Sequence, residues 1–138
     1  MSPPLSRSQP IESKPMQTTD FVATLCDAAS NPGKVTVTFT MALNALRKGH
    51  TATIILMIEA VELGLPNAAA GMDIGKPFRP VAELLAEYLE QGGRIAICSS
   101  CLTHHGISAD QVDTRFAVIT APDVIDLLMN AKGSLQLS

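Results

Sequence analysis

Apolar positions along the chain fall into two patterns. Short runs of consecutive apolar residues occur at 21–26, 51–58, 95–98 and 116–119, with a fifth, weaker one at 134–137. Runs of this kind suit strands buried on both faces, the condition inside a parallel sheet. Between them the apolar residues recur at helical spacing. Residues 81–91 form an amphipathic helix ended by Gly92-Gly93, and 122–132 form another, with Pro122 in its first turn and Gly133 after its end. Residues 59–65 are long enough for a short helix. Residues 66–80 are a loop rich in glycine, alanine and proline, of a length that often carries function.

One segment reads both ways. Val35-Thr36-Val37-Thr38-Phe39-Thr40 alternates and is β-branched, which is strand chemistry. It follows the turn residues Asn31-Pro32-Gly33 and runs into Met41-Ala42-Leu43-Asn44-Ala45-Leu46-Arg47-Lys48-Gly49, which is helical with a basic last turn and a terminal glycine. Val35, Phe39, Ala42 and Leu46 share one helical stripe, so one continuous helix over about 33–48 is expected.

Strands alternating with helices predict an α/β protein, a three-layer α/β/α sandwich with a mainly parallel sheet of about five strands. The 138 residues fit one domain, expected over 18–138, behind a flexible arm over 1–17 that is rich in proline and serine. No apolar run approaches the roughly 18 residues of a membrane span. Net charge is −3 without a basic stretch, which argues against nucleic acid, and aromatic content of 4% argues against stacking platforms. Three cysteines without a signal-like leader point to a reducing, cytoplasmic setting rather than a disulfide scaffold.

Chemistry concentrates in Ile95-Ala96-Ile97-Cys98-Ser99-Ser100-Cys101-Leu102-Thr103-His104-His105-Gly106-Ile107. A buried strand there delivers Cys98 to the start of a helical turn that Ser99 or Ser100 can cap. The carboxyl edge of a parallel sheet is where ligands bind, and a helix start favours anions, so more thiolate is expected at Cys98. Cys98 and Cys101 are i and i+3, roughly 5 Å apart on one face and within disulfide reach. His104 and His105 are candidate proton carriers or positive neighbours. The four together resemble a metal set, but on a straight helix Cys98 and His105 stand about 10 Å apart along the axis, too far to share one ion. No cofactor is implied. Cys26 is expected to pack within the first strand. Asn31 and Glu59, after the first and second strands, are candidate pocket residues at the same sheet edge. Glu62, Glu83, Glu87 and Glu90 read as solvated helix faces.

The order of these motifs resembles the DsrE/DsrF family. The resemblance spans roughly Thr19 to Leu137. It rests on a helix ending Ala45-Leu46-Arg47-Lys48-Gly49-His50 before a strand, on Gly92-Gly93-Arg94 before a strand ending in Cys98, on the spacing from Cys98 to Gly106, and on Ala121-Pro122-Asp123 before the last helix. It implies a DsrE-like domain, a persulfide carried on the cysteine matching Cys98, and assembly as a homotrimer or homohexamer. The implied partner is a small sulfur-carrier protein or a low-molecular-weight sulfane-sulfur donor. His104-His105 stand where many relatives have arginines, and Cys101 is additional to the single-cysteine pattern. Two other readings stay open: a dithiol redox protein using Cys98 and Cys101, and a non-catalytic oligomeric binding module with Cys/His metal ligands.

Overall fold

The computed structural model describes residues 17–137. The arm expected over 1–17 lies outside the described residues except for Gln17, whose backbone carbonyl and side chain accept from the Arg94 guanidinium. Five strands, β1 (Phe21–Leu25), β2 (Ala52–Leu56), β3 (Arg94–Cys98), β4 (Ala117–Ile119) and β5 (Gly133–Leu137), form one all-parallel sheet in the order β4-β3-β2-β1-β5. Helices α1 (Pro32–Arg47), α2 (Val81–Glu90), α3 (Ser99–His104) and α4 (Ala121–Asn130) connect them, with a 3₁₀ segment at Ile58–Gly64 after β2.

The strand order explains the layers. From β1 to β4 each step moves one place the same way, so right-handed crossovers set α1, α2 and α3 on one face. The return from β4 to β5, beside β1, reverses direction and sets α4 on the other. The two cores follow this division. Ala23, Leu25, Ile54, Leu56, Ile95 and Ile97 pack against Val35, Phe39, Leu43, Leu84, Tyr88 and Leu102. Val22, Ile55, Ala96 and Ile119 pack against Leu127 of α4, with Val124 and Leu128 at the margin.

The ambiguous threonine run is helical throughout. Asn31 caps α1 by accepting the Lys34 backbone N–H at 3.1 Å, and Pro32 takes the first helical position, so the expected turn residues are the helix start. The Thr36, Thr38 and Thr40 hydroxyls donate to the carbonyls of Pro32, Lys34 and Thr36, each at 2.7 Å. These i−4 bonds satisfy polar groups that alternate through a buried helix, and packing of Val35 and Phe39 overrides the strand preference of the threonines.

Helices α1 and α2 lie side by side. The Phe39 and Tyr88 rings meet edge to face at 6.0 Å, and the fully buried Tyr88 donates its hydroxyl to the Arg94 carbonyl at 2.8 Å. Burial pushes the Tyr88 phenol far above its ordinary range, so it stays a neutral donor. Glu87 does more than face solvent: it receives Arg47 of α1 at 2.6 Å and Arg79 at 2.8 Å, and those guanidiniums hold its carboxyl below the usual range. Gly133 is the first residue of β5 rather than the stop signal of α4, which ends three residues earlier at Asn130. The 66–80 loop folds back on its own molecule. Ala68, Ala69 and Met72 pack against the main core, while Ile74 and Phe78 stay exposed.

Candidate functional site

Three strands bring their carboxyl ends to one edge. Leu25 pairs with Leu56 and Leu56 with Ile97, so Cys26, Met57 and Cys98 follow at one level. Cys98 also pairs with Ile119 of β4. The chain leaving β3 enters α3 on one face, and the chain leaving β4 enters α4 on the other. The outgoing connections therefore diverge between β3 and β4, the topological position at which parallel sheets commonly bind ligands. Cys98 stands at that divergence.

Cys98 is itself the cap residue of α3, and Ser99 and Ser100 are the first two residues inside the helix. The expectation that a serine caps this helix is therefore corrected: the strand runs one residue further than a serine cap requires, and no side chain bonds the open N–H groups. Cys101 is the third helical residue. The turn ends at Gly106, whose φ of +71° suits glycine. There Gly106 N–H donates to Thr103 O at 3.1 Å and Ile107 N–H to Leu102 O at 2.9 Å, with Ile107 against the core. This paired closure is a Schellman end, so Gly106-Ile107 fixes the length of α3 rather than touching a ligand.

The two thiols are neighbours. Burial pushes the Cys101 thiol up, a hydrogen bond from the Ile58 backbone N–H acts the other way, and contact with the Cys98 thiol raises it again, with a smaller contribution from Cys26. Cys26 is not within the first strand. It follows β1, half-buried, with its backbone N–H on Leu137 O at 3.2 Å, because the strand's pairing with β2 ends at Leu25. Burial pushes its thiol up too, with Asp27 adding and Lys34 opposing. Sequence reading missed that Cys26 belongs to this edge; the register of three strands, invisible in one sequence, places it there.

Ile58 was also missed. Its φ is +55°, a left-handed conformation that a β-branched residue adopts only under constraint, at a cost on the order of 1–3 kcal/mol. Its side chain is 56% exposed. With Ser100, Cys101, His104 and His105 it lines a cavity of about 260 Å³ whose accessible wall is almost wholly apolar. Cys98 and Ser99 do not line it. The His104 and His105 rings stand edge to face at 5.5 Å. His105 is half-buried and lies 3.8 Å from Glu62.

Asn31 and Glu59 are near this edge but are occupied. Asn31 caps α1. The Glu59 carboxylate accepts the Ala28 N–H at 3.0 Å and the Ser30 hydroxyl, and those bonds hold its carboxyl below the usual range. Glu59 fixes the β1–α1 loop against the segment after β2, Asn31 fixes the start of α1, and neither lines the cavity. Among the described residues, no three His, Cys, Asp or Glu side chains converge closely enough to hold a metal ion.

Burial favours the neutral thiol at both Cys26 and Cys101. Cys98 is expected to alkylate before Cys26 and Cys101 when labelling is followed by peptide mass mapping at pH 7. Earlier reaction at either of the other two would move the nucleophile away from β3.

The comparisons with known proteins agree with this architecture. The structure resembles the YchN protein of E. coli, with a TM-score of 0.67 at 19% identity, covering 88% of this chain and 99% of that one. It also resembles a conserved protein of unknown function from Bacteroides thetaiotaomicron, with a TM-score of 0.60 at 21% identity over 85% of this chain and 94% of that one. A third match is a protein of unknown function from Methanobacterium thermoautotrophicum, with a TM-score of 0.61 at 13% identity over 84% and 97%. No curated protein matches the sequence significantly. No helix among the described residues is long and apolar enough to cross a membrane. Residues 21–137 match the family model for DsrE/DsrF-like proteins, every strand of the sheet included, and the chain belongs to the DsrE/DsrF-like family.

Proposed function

We propose that this protein binds and transfers sulfane sulfur, with Cys98 carrying a persulfide that it hands to a partner thiol. Membership of the DsrE/DsrF-like family is consistent with a sulfur relay. The observation that carries the reading is the position of Cys98 at the end of β3, where connections diverge and a second thiol stands alongside. Relay is exchange chemistry: a thiolate attacks a donor sulfur, and a later thiolate attacks the sulfur it has gained. His104 and His105, beside Cys101, serve as proton carriers, and Ser99 and Ser100 shape the turn. The donor or acceptor is a small sulfur-carrier protein or a low-molecular-weight sulfane compound. The test is intact-protein mass spectrometry after exposure to a sulfane donor. A gain of one sulfur atom, mapped to Cys98 and lost on reduction, is expected; no gain at any thiol overturns the reading.

One contact favours a second reading. The Cys98 thiol stands near enough to Cys101 to raise its pKa, and this nearness supports a dithiol that cycles through a disulfide. A thiol count that drops by two under mild oxidation, without sulfur uptake, selects it.

The same proposal includes a homotrimer or homohexamer in a cytoplasmic setting. Exposed Ile125 and Met129, one turn apart on α4, support self-association, since exposed apolar groups in one region usually mark interfaces. Ile74 and Phe78 keep part of the 66–80 loop available for contact, whereas Met72 is committed to its own core. Light scattering at micromolar concentration is expected to give at least three times the mass of one chain, and the mass of a single chain overturns the assembly.

A further inference from the structure

We propose that the cavity between Ile58 and α3 is a port for small, uncharged sulfur compounds, that Cys101 is the thiol serving it, and that Ile58 sets its preference for neutral molecules. The inference rests on the sulfur-carrier reading of Cys98 and assigns a second thiol to a second task. Three observations carry it. Cys101, not Cys98, lines the cavity. Its volume of about 260 Å³ falls just under the usual range for small-molecule sites. Its accessible wall is almost wholly apolar, and its lining holds no carboxylate, lysine or arginine; besides Cys101, its ionisable groups are the His104 and His105 imidazoles. Moving an ion into such a wall is costly, whereas a neutral organic persulfide loses little on entering.

Ile58 explains how the cavity persists. A β-branched residue at φ +55° and more than half exposed is held there by its surroundings. Met57 N–H donates to Leu25 O at 2.9 Å and Ala60 N–H to Met57 O at 3.0 Å, so the chain is pinned on both sides of it. The result is an apolar side chain that shares the cavity wall with Cys101, and an Ile58 backbone near enough to favour the Cys101 thiolate. An ordinary extended residue at this position would continue the direction of β2.

The chemistry balances without an oxidant. The Cys101 thiol passes its proton to an imidazole of the cavity, and its sulfur attacks the outer sulfur of a neutral persulfide R–S–SH. The S–S bond of the donor breaks and its electron pair leaves on R–S, which takes the proton back and departs as R–SH. Cys101 then holds the sulfur as Cys101–S–SH. Attack by the Cys98 thiolate on that outer sulfur moves it to Cys98 and returns Cys101 to its starting state. No net oxidation occurs in either step, and both run in reverse, so the port can equally deliver sulfur to a small neutral thiol.

The test uses the full chain and two methanethiosulfonate reagents, one carrying a neutral methyl group and one an anionic sulfonatoethyl group. Labelling rates at Cys98 and Cys101 are followed by peptide mass mapping. The expected result is a neutral-to-anionic rate ratio at Cys101 about tenfold or more above that at Cys98. Equal ratios at the two thiols overturn the port. Ile58→Asn keeps a residue that tolerates the left-handed conformation but makes the side chain polar. In this variant the ratio at Cys101 is expected to fall towards that at Cys98, and an unchanged ratio removes Ile58 from the assignment. Sulfur loading of Cys98 from inorganic polysulfide is measured in parallel. Loading that fails while the Cys101 ratio stays high overturns the carrier function and with it the transfer to Cys98, whereas normal loading with equal ratios overturns only the port.

Discussion

Cys98→Ser is expected to abolish stable sulfur loading and leave the fold intact. Serine fills nearly the same space at a half-buried position but cannot hold a persulfide. The substitution also falls on the cap of α3, where cysteine makes no capping bond and serine can accept a free backbone N–H. Stability is therefore expected to hold or to rise by up to about 1 kcal/mol. Equal sulfur uptake by variant and parent, with matching urea midpoints, would sink the relay. Cys101→Ser should reduce loading less. If it instead blocks recovery from an oxidised state, the dithiol reading takes over.

Gly93→Ala is expected to be the most destabilising small substitution in the chain. A Cβ on Gly93 would stand 2.4 Å from two carbon atoms of the Tyr88 ring. That ring cannot swing away. It is fully buried, packed on Phe39, and fastened by its hydroxyl to Arg94 O. Overpacking of this kind costs roughly 1–3 kcal/mol, and the fixed ring places this case at the upper end. Gly93 is not in a left-handed conformation, so the penalty is contact alone. Urea unfolding checks the size. The origin is checked by the double variant with Tyr88→Leu, which should be less destabilised than the sum of the two single variants. Additive losses would refute the ring clash.

Much of this architecture is readable from apolar spacing. All five strands and the helices α1, α2 and α4 lie where the pattern puts them, because runs buried on both faces and stripes on helices leave different signatures. Even the threonine run resolves correctly once the stripe through Val35 and Phe39 outweighs local propensity. The site was only half legible. Cys98, Cys101, His104 and His105 are adjacent in sequence, so their proximity is guaranteed by a short helix. Asn31 and Glu59 were rightly placed near the edge, but their hydrogen bonds turn them to structural work. The Cys26 and Ile58 positions depend on inter-strand register and on one backbone angle, neither of which leaves a mark in a single sequence.

The position of β5 has a kinetic consequence. Its partner β1 comes from the opposite end of the described chain, with Phe21 against Gly133 and Leu25 against Leu137. Four strands can pair as each crossover closes, but the outer edge of β1 stays bare until residues 133–137 arrive. Closing so long a loop is entropically slow and raises the contact order of the whole fold. During synthesis from the N-terminus, a nascent chain already carrying β1 to β4 therefore exposes the unpaired backbone edge of a mostly apolar strand, the feature that invites intermolecular pairing. The hazard lasts for the time needed to make α4 and β5. A chaperone that shields a single strand edge over that interval would raise the yield of folded protein without touching any residue of the site.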